Sequence, residues 1–278
     1  MMMTNAGELR LESASFSHDG GRDYNEDAIG ESDAFGAVRL YMLADGAGGQ
    51  GGGDVAARTA ITAARSEFMR MPAYSVDTLK RCMTTADRAV RLKQSEEARL
   101  ARMASTFVAL LVDYRQRKAL IGNLGDSRCY VYRGDQVIAQ SYDHSLVQRF
   151  IDAGLYPAEK LREHPKRNVL YASLGANEEA VEPFVSATSI ELAPGDGVML
   201  CSDGVWEVVD DATLGRLHAM SATVSQWRDH IVAAVRGRMG PGHDNFSALV
   251  IRCSSINAVA FDDDDDQRTM PPMAMQPA

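Results

Sequence analysis

Three aspartates lie beside apolar runs that are typical of buried β-strands. Asp45 follows the run 38–44, Asp203 follows the run 198–201 after a single serine, and Asp244 lies just before the run 246–253. A charged carboxylate beside a buried strand is costly unless a partner offsets its charge. Hard divalent cations such as Mg²⁺ and Mn²⁺ prefer oxygen ligands and keep several waters, so each ion needs few carboxylates. The pattern indicates a site for divalent metal ions.

Further oxygen ligands are available in neighbouring segments. Glu26 and Asp27 end a polar stretch, and Asp126 lies in a Gly-Asp-Ser-Arg segment. Gly46 has no Cβ, so its carbonyl oxygen could approach an ion closely. An isolated aspartate beside a glycine is more often part of a turn, and Asp135 is assigned to a turn for that reason.

The elements that must position these residues occur in separate blocks, which predicts an α+β architecture rather than alternating βαβ units. A helix is expected after the glycine-dense loop 46–53, with Asp54 as its cap. Further helices are expected over 76–100, 146–153 and 223–238, and 155–174 is expected to be a surface excursion. Short β-prone runs separated by turn signals cover 105–113, 118–123, 128–133 and 136–139.

Length and composition exclude several classes of protein. The chain has 278 residues, 45% hydrophobic and 24% charged, with 38 acidic and 29 basic side chains and a net charge of -9. This acidity argues against binding to nucleic acid or to anionic lipid. The longest apolar run, 107–112, is far shorter than the roughly 20 residues of a membrane span. Four cysteines without a CxxC pair predict reduced thiols in a cytoplasmic protein.

The domain organisation is predicted to be simple, because no fixed-period repeat is present. Residues 1–256 are expected to form a single domain. Five consecutive aspartates, 262–266, begin a Pro/Met-rich end, and their mutual repulsion predicts that the tail 257–278 is disordered. Once this run and the candidate metal ligands are set aside, the remaining charges nearly balance.

Eight short motifs occur in a fixed order over about residues 9–253. Together they resemble the metal-dependent serine/threonine protein phosphatases of type 2C, the PPM family, in their bacterial form. The motifs are Arg22-x-x-Asn25-Glu26-Asp27, Asp45-Gly46-x-Gly48-Gly49, Ser105-Thr106, Gly125-Asp126-Ser127-Arg128, Asp143-His144-Ser145, Ser173-Leu174-Gly175, Ser202-Asp203-Gly204 and Asp244-Asn245. Each motif alone is a weak signal, whereas the ordered set is specific.

The resemblance implies a fold and a ligand set. The fold is a central sandwich of two antiparallel β-sheets flanked by helix pairs, in the layer order α-β-β-α. A binuclear Mn²⁺ or Mg²⁺ centre is implied at one end of the sandwich. Carried over by motif, the ligands are Asp45 bridging both ions, Asp203 and Asp244 on one ion, the Gly46 carbonyl on the other with Glu26 and Asp27 nearby, and Asp126 for a third, weaker ion.

The implied reaction uses water rather than an enzyme nucleophile. The ions lower the pKa of a bridging water, and the resulting hydroxide attacks phosphorus. Arg22 is expected to hold the phosphate oxygens as a fork, although taken alone it would fit a surface ion pair with Asp23 or Glu26. Ser105 and His144 are expected near the substrate, against the alternatives of an ordinary strand residue and a hydrogen-bonded structural histidine.

Two features depart from the family pattern or vary within it. Some members have a histidine, proposed as a general acid, where this chain has Ala47, so that role is not carried over. Water on the metal, or His243, could protonate the leaving group, although a structural role for His243 is favoured. The excursion 155–174 matches a variable flap, and its Arg162, Lys166 and Arg167 either contact acidic parts of a phosphoprotein or form a solvated loop.

The sequence therefore predicts an enzyme that hydrolyses phosphoserine and phosphothreonine in proteins, opposing a bacterial serine/threonine kinase. The expected partners are phosphorylated proteins and a cognate kinase, without nucleic acid or membrane, and the expected state is a cytoplasmic monomer. The alternative is a non-catalytic phosphoprotein-binding module of the same fold. That alternative predicts missing metal ligands, and none of the core aspartates is missing.

Overall fold

The computed structural model describes residues 8–33, 36–47, 52–175 and 183–255, and these form twelve strands and seven α-helices. Gly48 and Gly49, as well as the predicted tail 257–278, lie outside the described residues. The strands are β1 (Leu9–His18), β2 (Asp27–Asp33), β3 (Val38–Ala47), β4 (Ala104–Ser105), β5 (Phe107–Asp113), β6 (Lys118–Leu124), β7 (Arg128–Arg133), β8 (Gln136–Gln140), β9 (Phe184–Val185), β10 (Ile190–Glu191), β11 (Gly197–Cys201) and β12 (Phe246–Ser255). The helices are α1 (Gly53–Arg70), α2 (Val76–Glu96), α3 (Leu146–Asp152), α4 (Lys160–Glu163), α5 (Asp203–Trp206), α6 (Asp211–Met220) and α7 (Val224–Arg236), with a 3₁₀ turn at Ala98–Leu100.

The strands form two antiparallel sheets. The first sheet has the order β1-β12-β11-β7-β8. The second has the order β10-β6-β5-β3-β2, with β4 paired to β3 and β9 paired to β6. The chain crosses from the second sheet to the first at the turn between β6 and β7, so that turn lies between the two sheets.

Three apolar cores separate the layers, and the alternation along β3 shows how they arise. Leu40 and Met42 pack with α1 and α2 on the outer face of the second sheet. Tyr41 and Leu43, which point to the opposite face as strand geometry requires, pack between the two sheets. Trp227 of α7 belongs to the third core, on the outer face of the first sheet. The predicted α-β-β-α layer order is confirmed.

Side-chain caps start several of the helices. Ser75 accepts a hydrogen bond from the Thr78 amide at 3.1 Å, and Thr223 accepts one from Gln226 at 3.2 Å. The prediction that Asp54 caps α1 was wrong, because the cap position is Gly52. Asp54 lies in the first turn of α1, where a negative charge is also favourable.

Several elements differ from the sequence prediction in their bounds, and strand β2 was not predicted. The predicted helix 76–100 ends at Glu96, and the 3₁₀ turn continues it. Strand β3 extends beyond residue 44 and contains Asp45 rather than ending before it. Strand β2, which the sequence analysis missed, has the polar sequence DAIGESD and forms because it pairs along β3 from Asp27↔Asp45 to Asp33↔Arg39.

In the described part of the chain, no helix has both the length and the apolar character that crossing a bilayer requires. All four cysteines are buried free thiols.

Candidate active site

A polar pocket of about 350 Å³ opens at one end of the sandwich. Both sheets and the crossover turn contribute to it. It is lined by Arg22, Tyr24, Glu26, Asp45, Gly46, Ala47, Ser105, Thr106, Asp126, Asn168, Leu170, Ser173, Asp203 and Asp244. The structure thus gathers most of the sequence-predicted site residues around one space, although they are up to 222 positions apart in the chain, the separation of Arg22 and Asp244.

The four aspartates of the pocket come from different elements. Asp45 lies in the last part of β3, and Asp126 lies on the turn between β6 and β7. Asp203 is the first residue of α5, just after β11, and Asp244 lies two positions before the first residue of β12. Because strand ends from two sheets meet here, side chains from distant segments converge without a long loop.

Burial and mutual repulsion raise the pKa of three of these carboxyl groups, those of Asp45, Asp126 and Asp203. For Asp45 the pKa is well above its usual range, because of burial first and then repulsion from Asp27 and Asp203. The pKa of Asp203 is likewise raised well above its usual range by burial and then by Asp126. Burial, followed by repulsion from Asp143, raises the pKa of Asp126 to about 7. A cation is the partner that such a group of carboxylates lacks.

Asp27 lies beside the pocket rather than on its wall. Its Oδ2 accepts a hydrogen bond from the Ser202 hydroxyl at 2.9 Å, whereas its buried Oδ1 has no hydrogen-bond partner. Burial raises the Asp27 pKa to about 6. An unpartnered buried carboxylate oxygen requires a water or an ion to complete it.

Glu26 and Gly46 are neighbours on the pocket wall, and the Gly46 amide donates to the Glu26 carbonyl oxygen at 3.2 Å. Glu26 Oε1 accepts from the Gly53 amide at 3.1 Å, and burial raises the Glu26 pKa. A Cβ at Gly46 would lie 2.1 Å from the Gly53 carbonyl oxygen and 2.8 Å from that of Glu26. Only glycine fits at position 46, and its backbone faces the pocket with no side chain in between.

This set of donors fits hard divalent ions. The candidate ligands are oxygen atoms, which Mg²⁺ and Mn²⁺ prefer. Within the described ranges, no three carboxylate, imidazole or thiol side chains are already gathered into a complete ligand group. These cations commonly keep several waters among their ligands, so few protein ligands are needed for each ion.

The backbone of Asp45 is fixed by Ser105 of β4 and by Thr106, which lies between β4 and β5. Its amide donates to Thr106 Oγ1 at 3.0 Å, and its carbonyl oxygen accepts from the Thr106 amide at 2.8 Å. The Ser105 hydroxyl donates to the same carbonyl at 2.9 Å. Ser105 thus lines the pocket, but its hydroxyl holds Asp45; its expected contact with substrate stays a prediction.

Arg22 is exposed at the rim and forms an ion pair, with Nη2 2.8 Å from Asp244 Oδ2. The sequence analysis named Asp23 or Glu26 as the partner of Arg22 in a surface ion pair, whereas the structure pairs it with Asp244. The guanidinium therefore lies at the pocket edge, next to a candidate metal ligand.

The two histidines of interest do not line the pocket. His144 is buried, its amide donates to the Gly125 carbonyl at 2.8 Å, and burial lowers its pKa. Its ring contacts Tyr142 and Tyr171 edge-on. His243 Nε2 lies 2.8 Å from the Gly204 carbonyl oxygen. The hydrogen bonds of His144 and His243 therefore fit the structural roles that the sequence analysis gave as alternatives.

The segment 155–174 is anchored to the first sheet's helices. Arg162 Nη2 donates to Asp211 at 2.7 Å, and Arg167 binds both carboxylate oxygens of Glu207 at 2.5 and 2.9 Å. Two of the three cations expected to meet a substrate are therefore paired within the chain, while Lys166 is exposed.

Sequence reasoning missed four residues on the pocket wall: Tyr24, Asn168, Leu170 and Ser173. Tyr24 lies inside the first family motif and Ser173 begins the sixth, so their motifs could have indicated a place near the site. Asn168 and Leu170 carried none, because they reach the pocket only through the anchoring of their segment.

The chain belongs to the protein phosphatase 2C family, whose family model matches residues 16–234. A serine/threonine phosphatase stp of Listeria innocua is 29% identical over 246 residues, which is 86% of this chain and 94% of the relative. Among solved structures, Mycobacterium tuberculosis PstP/Ppp has a TM-score of 0.75 at 27% identity, covering 88% of this chain and 99% of that chain. The catalytic domain of a phosphatase PstP in complex with 2 manganese ions has a TM-score of 0.74 at 27% identity, covering 89% and 100%.

The family resemblance and the fold class predicted from the motifs are confirmed. The chain is a protein phosphatase of this family, and the non-catalytic alternative is not favoured.

Proposed function

We propose that the chain hydrolyses phosphoserine and phosphothreonine in proteins, using Mn²⁺ or Mg²⁺ held in the pocket. The observation that carries the proposal is the concentration of buried carboxylates at one end of the sandwich, with pKa values raised by burial and mutual repulsion. Relatives named serine/threonine phosphatases, and one with manganese bound, support the substrate class and the cofactor.

The proposed ligands are those that the family resemblance implies, and all of them except Asp27 line the pocket. Asp45 would be shared between two ions, Asp203 and Asp244 would hold one, and the Gly46 carbonyl would hold the other. Glu26, Asp27 and Asp126 would act directly or through water, and Asp126 would serve a third ion. When bound, the ions supply a water of lowered pKa.

The remaining residues bind and orient the phosphate. Arg22 is the cation on the pocket wall, and its fork can hold two phosphate oxygens and offset their charge in the transition state. To do so it must share or exchange its contact with Asp244. Thr106 and Ser105 keep the Asp45 backbone in place while charge builds up at phosphorus.

The proposed biological setting is a monomer that acts on phosphorylated proteins and opposes a serine/threonine kinase. Four buried free thiols support a reducing compartment such as the cytoplasm.

The test is hydrolysis of a phosphothreonine peptide with Mn²⁺, with and without chelator. Asp45→Asn and Asp203→Asn should remove turnover, while Asp135→Asn, a change of the same chemistry at an exposed turn, should retain it. Activity that survives complete chelation, or that is unchanged in Asp45→Asn, would contradict the metal model. Binding of the phosphopeptide without turnover would favour the non-catalytic alternative.

A further inference from the structure

One wall of the pocket is an extended segment that pairs with β4. The Leu174 amide donates to the Ser105 carbonyl oxygen at 2.8 Å, and the Ser105 amide donates to the Leu174 carbonyl oxygen at 3.1 Å. Ser173 lies just before this pairing and lines the pocket, as does Leu170. The position of this segment therefore sets the shape of the wall that a protein substrate meets.

Helix α2 holds the far end of this segment through two side chains. Asp87 Oδ1 accepts a hydrogen bond from the Gly175 amide at 2.9 Å, and Gln94 Nε2 donates to the Gly175 carbonyl oxygen at 2.8 Å. Gly175 has φ +75, and a Cβ there would lie 2.7 Å from Val90 Cγ1. The backbone of Gly175 is thus bound on both of its polar groups and packed tightly against α2.

Gln94 also connects the two paired segments. The same Nε2 donates to the Met103 carbonyl oxygen at 2.7 Å, so one amide group ties the chain before Ser105 to the chain after Leu174. An amide nitrogen carries two donor hydrogens, and both are used here. Gln94 therefore closes one end of the Ser105–Leu174 pairing.

The two partners in this pairing are held unequally. Ser105 belongs to β4, which pairs with β3, and its hydroxyl is bonded to Asp45. The other partner, from Ser173 to Gly175, has its described polar anchors in Ser105 and in the two α2 side chains. If the α2 contacts are lost, we expect the stretch from Ser173 to Gly175 to move while Asp45 stays in place.

We propose that Asp87 and Gln94 are positioning residues that fix the substrate-facing wall at Ser173 from the outer helix layer. They act through Gly175 and touch neither the reacting atoms nor the candidate metal ligands. The inference rests on the proposed placement of substrate in this pocket. Earlier in the same segment, Leu170 pairs with Ser145 and Arg167 forms an ion pair with Glu207, so these contacts hold that end independently of α2.

The experiment compares a large and a small substrate at saturating Mn²⁺. Gln94→Glu is nearly isosteric but replaces the donor by an acceptor facing two carbonyl oxygens. We expect it to raise KM for a phosphothreonine peptide by about tenfold with little change in kcat, the scale of a lost positioning hydrogen bond. Hydrolysis of p-nitrophenyl phosphate, which does not reach the wall, should stay within about twofold.

Two substitutions at Asp87 test the positioning role independently of Gln94. Asp87→Ala removes the acceptor and should also raise KM for the peptide, while Asp87→Asn keeps an oxygen acceptor for the Gly175 amide and should rescue it. Both remove the charge that pairs with Arg91, so the loss of that ion pair is controlled. Lys93→Ala is the matched surface control on the same helix turn.

The outcomes separate this inference from the proposed function. If the unmodified protein hydrolyses both substrates but the Gln94 and Asp87 variants leave the peptide KM unchanged, the positioning role is wrong and the phosphatase activity stands. An equal loss on peptide and on p-nitrophenyl phosphate would also overturn it, because that result reports general damage. If the unmodified protein hydrolyses neither substrate, the proposed function fails first.

Discussion

Arg128 and Asp143 form an ion pair whose Nη2 and Oδ2 atoms are 2.7 Å apart, with side chains only 2% and 3% exposed. Arg128 also donates to the Tyr130 hydroxyl at 2.8 Å and lies 3.7 Å above the Trp206 ring. The indole nitrogen of Trp206 in turn donates to the carbonyl oxygen of Asp126 at 2.9 Å. The pair thus supports the crossover turn that presents Asp126 to the pocket.

Breaking this pair should destabilise the protein strongly. Asp143→Ala leaves a buried guanidinium without its carboxylate, which typically costs about 3–5 kcal/mol. The free energy of unfolding in urea measures the loss. Arg10→Ala, in the exposed Arg10–Glu12 pair, is the control and should change stability by less than about 1 kcal/mol. Equal losses in the two variants would show that burial does not set the contribution of the Arg128–Asp143 pair.

The pocket carboxylates should make the chelated protein less stable as pH rises. A carboxyl group whose pKa is raised in the folded state binds more protons folded than unfolded, so it stabilises at low pH and that contribution is lost through its folded pKa. For Asp27 the rise from 3.8 to about 6 corresponds to about 3 kcal/mol. We expect the loss between about pH 4 and pH 7, with Asp126 extending it further because its pKa is about 7.

Buried histidines act in the opposite direction, because burial lowers the pKa of His144 and His218. The measurement is therefore the difference between the unmodified protein and Asp27→Asn, both in chelator, by urea unfolding across this pH range. The difference should favour Asp27→Asn increasingly as pH rises, and Mn²⁺ should reduce it. A difference that is independent of pH would contradict the prediction.

Gly46 should not tolerate a methyl group. In Gly46→Ala the new Cβ would approach the Gly53 and Glu26 carbonyl oxygens, both of which are backbone atoms that cannot rotate away. We expect a loss of stability of about 1–3 kcal/mol, typical of overpacking, together with a loss of turnover. Gly240→Ala is the control, since a Cβ there meets nothing within 4 Å. Full turnover in Gly46→Ala would show that the position is not constrained.

Arg22 should matter for turnover and hardly for stability. Its ion pair with Asp244 is exposed, so Arg22→Ala should change the free energy of unfolding by less than about 1 kcal/mol. The proposed contact with phosphate predicts a fall in kcat/KM of about 10²- to 10³-fold. Arg22→Lys should recover little, because an ammonium group lacks the planar fork. Arg99→Ala, at another exposed pair, is the matched control.

Local pattern was enough to predict much of the fold. The apolar runs at Phe107–Asp113 and Gly197–Cys201 are buried strands in the structure, because burial on both faces leaves an uninterrupted hydrophobic signal. Strand β2 was missed for the converse reason. Its polar residues have no strand pattern of their own, and its conformation comes from pairing with β3.

Some residues of the candidate site could be predicted from the sequence and others could not. Asp45, Asp203 and Asp244 could be selected from the sequence because a carboxylate beside a buried strand is unusual. Leu170 could not, because it reaches the pocket through ion pairs and hydrogen bonds made by residues far away in the chain. Gln94 could not be selected from the sequence either, because a glutamine on a helix is ordinary. Only its hydrogen bonds to the carbonyl oxygens of Met103 and Gly175 distinguish it.

The pocket takes Asp45 from one sheet and Asp203 from the other, so its geometry depends on how the two layers are aligned. A displacement of one layer along the other by a fraction of a strand repeat would separate these carboxylates while every strand kept its own hydrogen bonds. The rate of turnover therefore reports whether the two sheets are correctly aligned. On gradual heating, turnover should fall before far-ultraviolet circular dichroism changes if the layers slide before either unfolds, whereas coincident transitions would show that the layers are lost together.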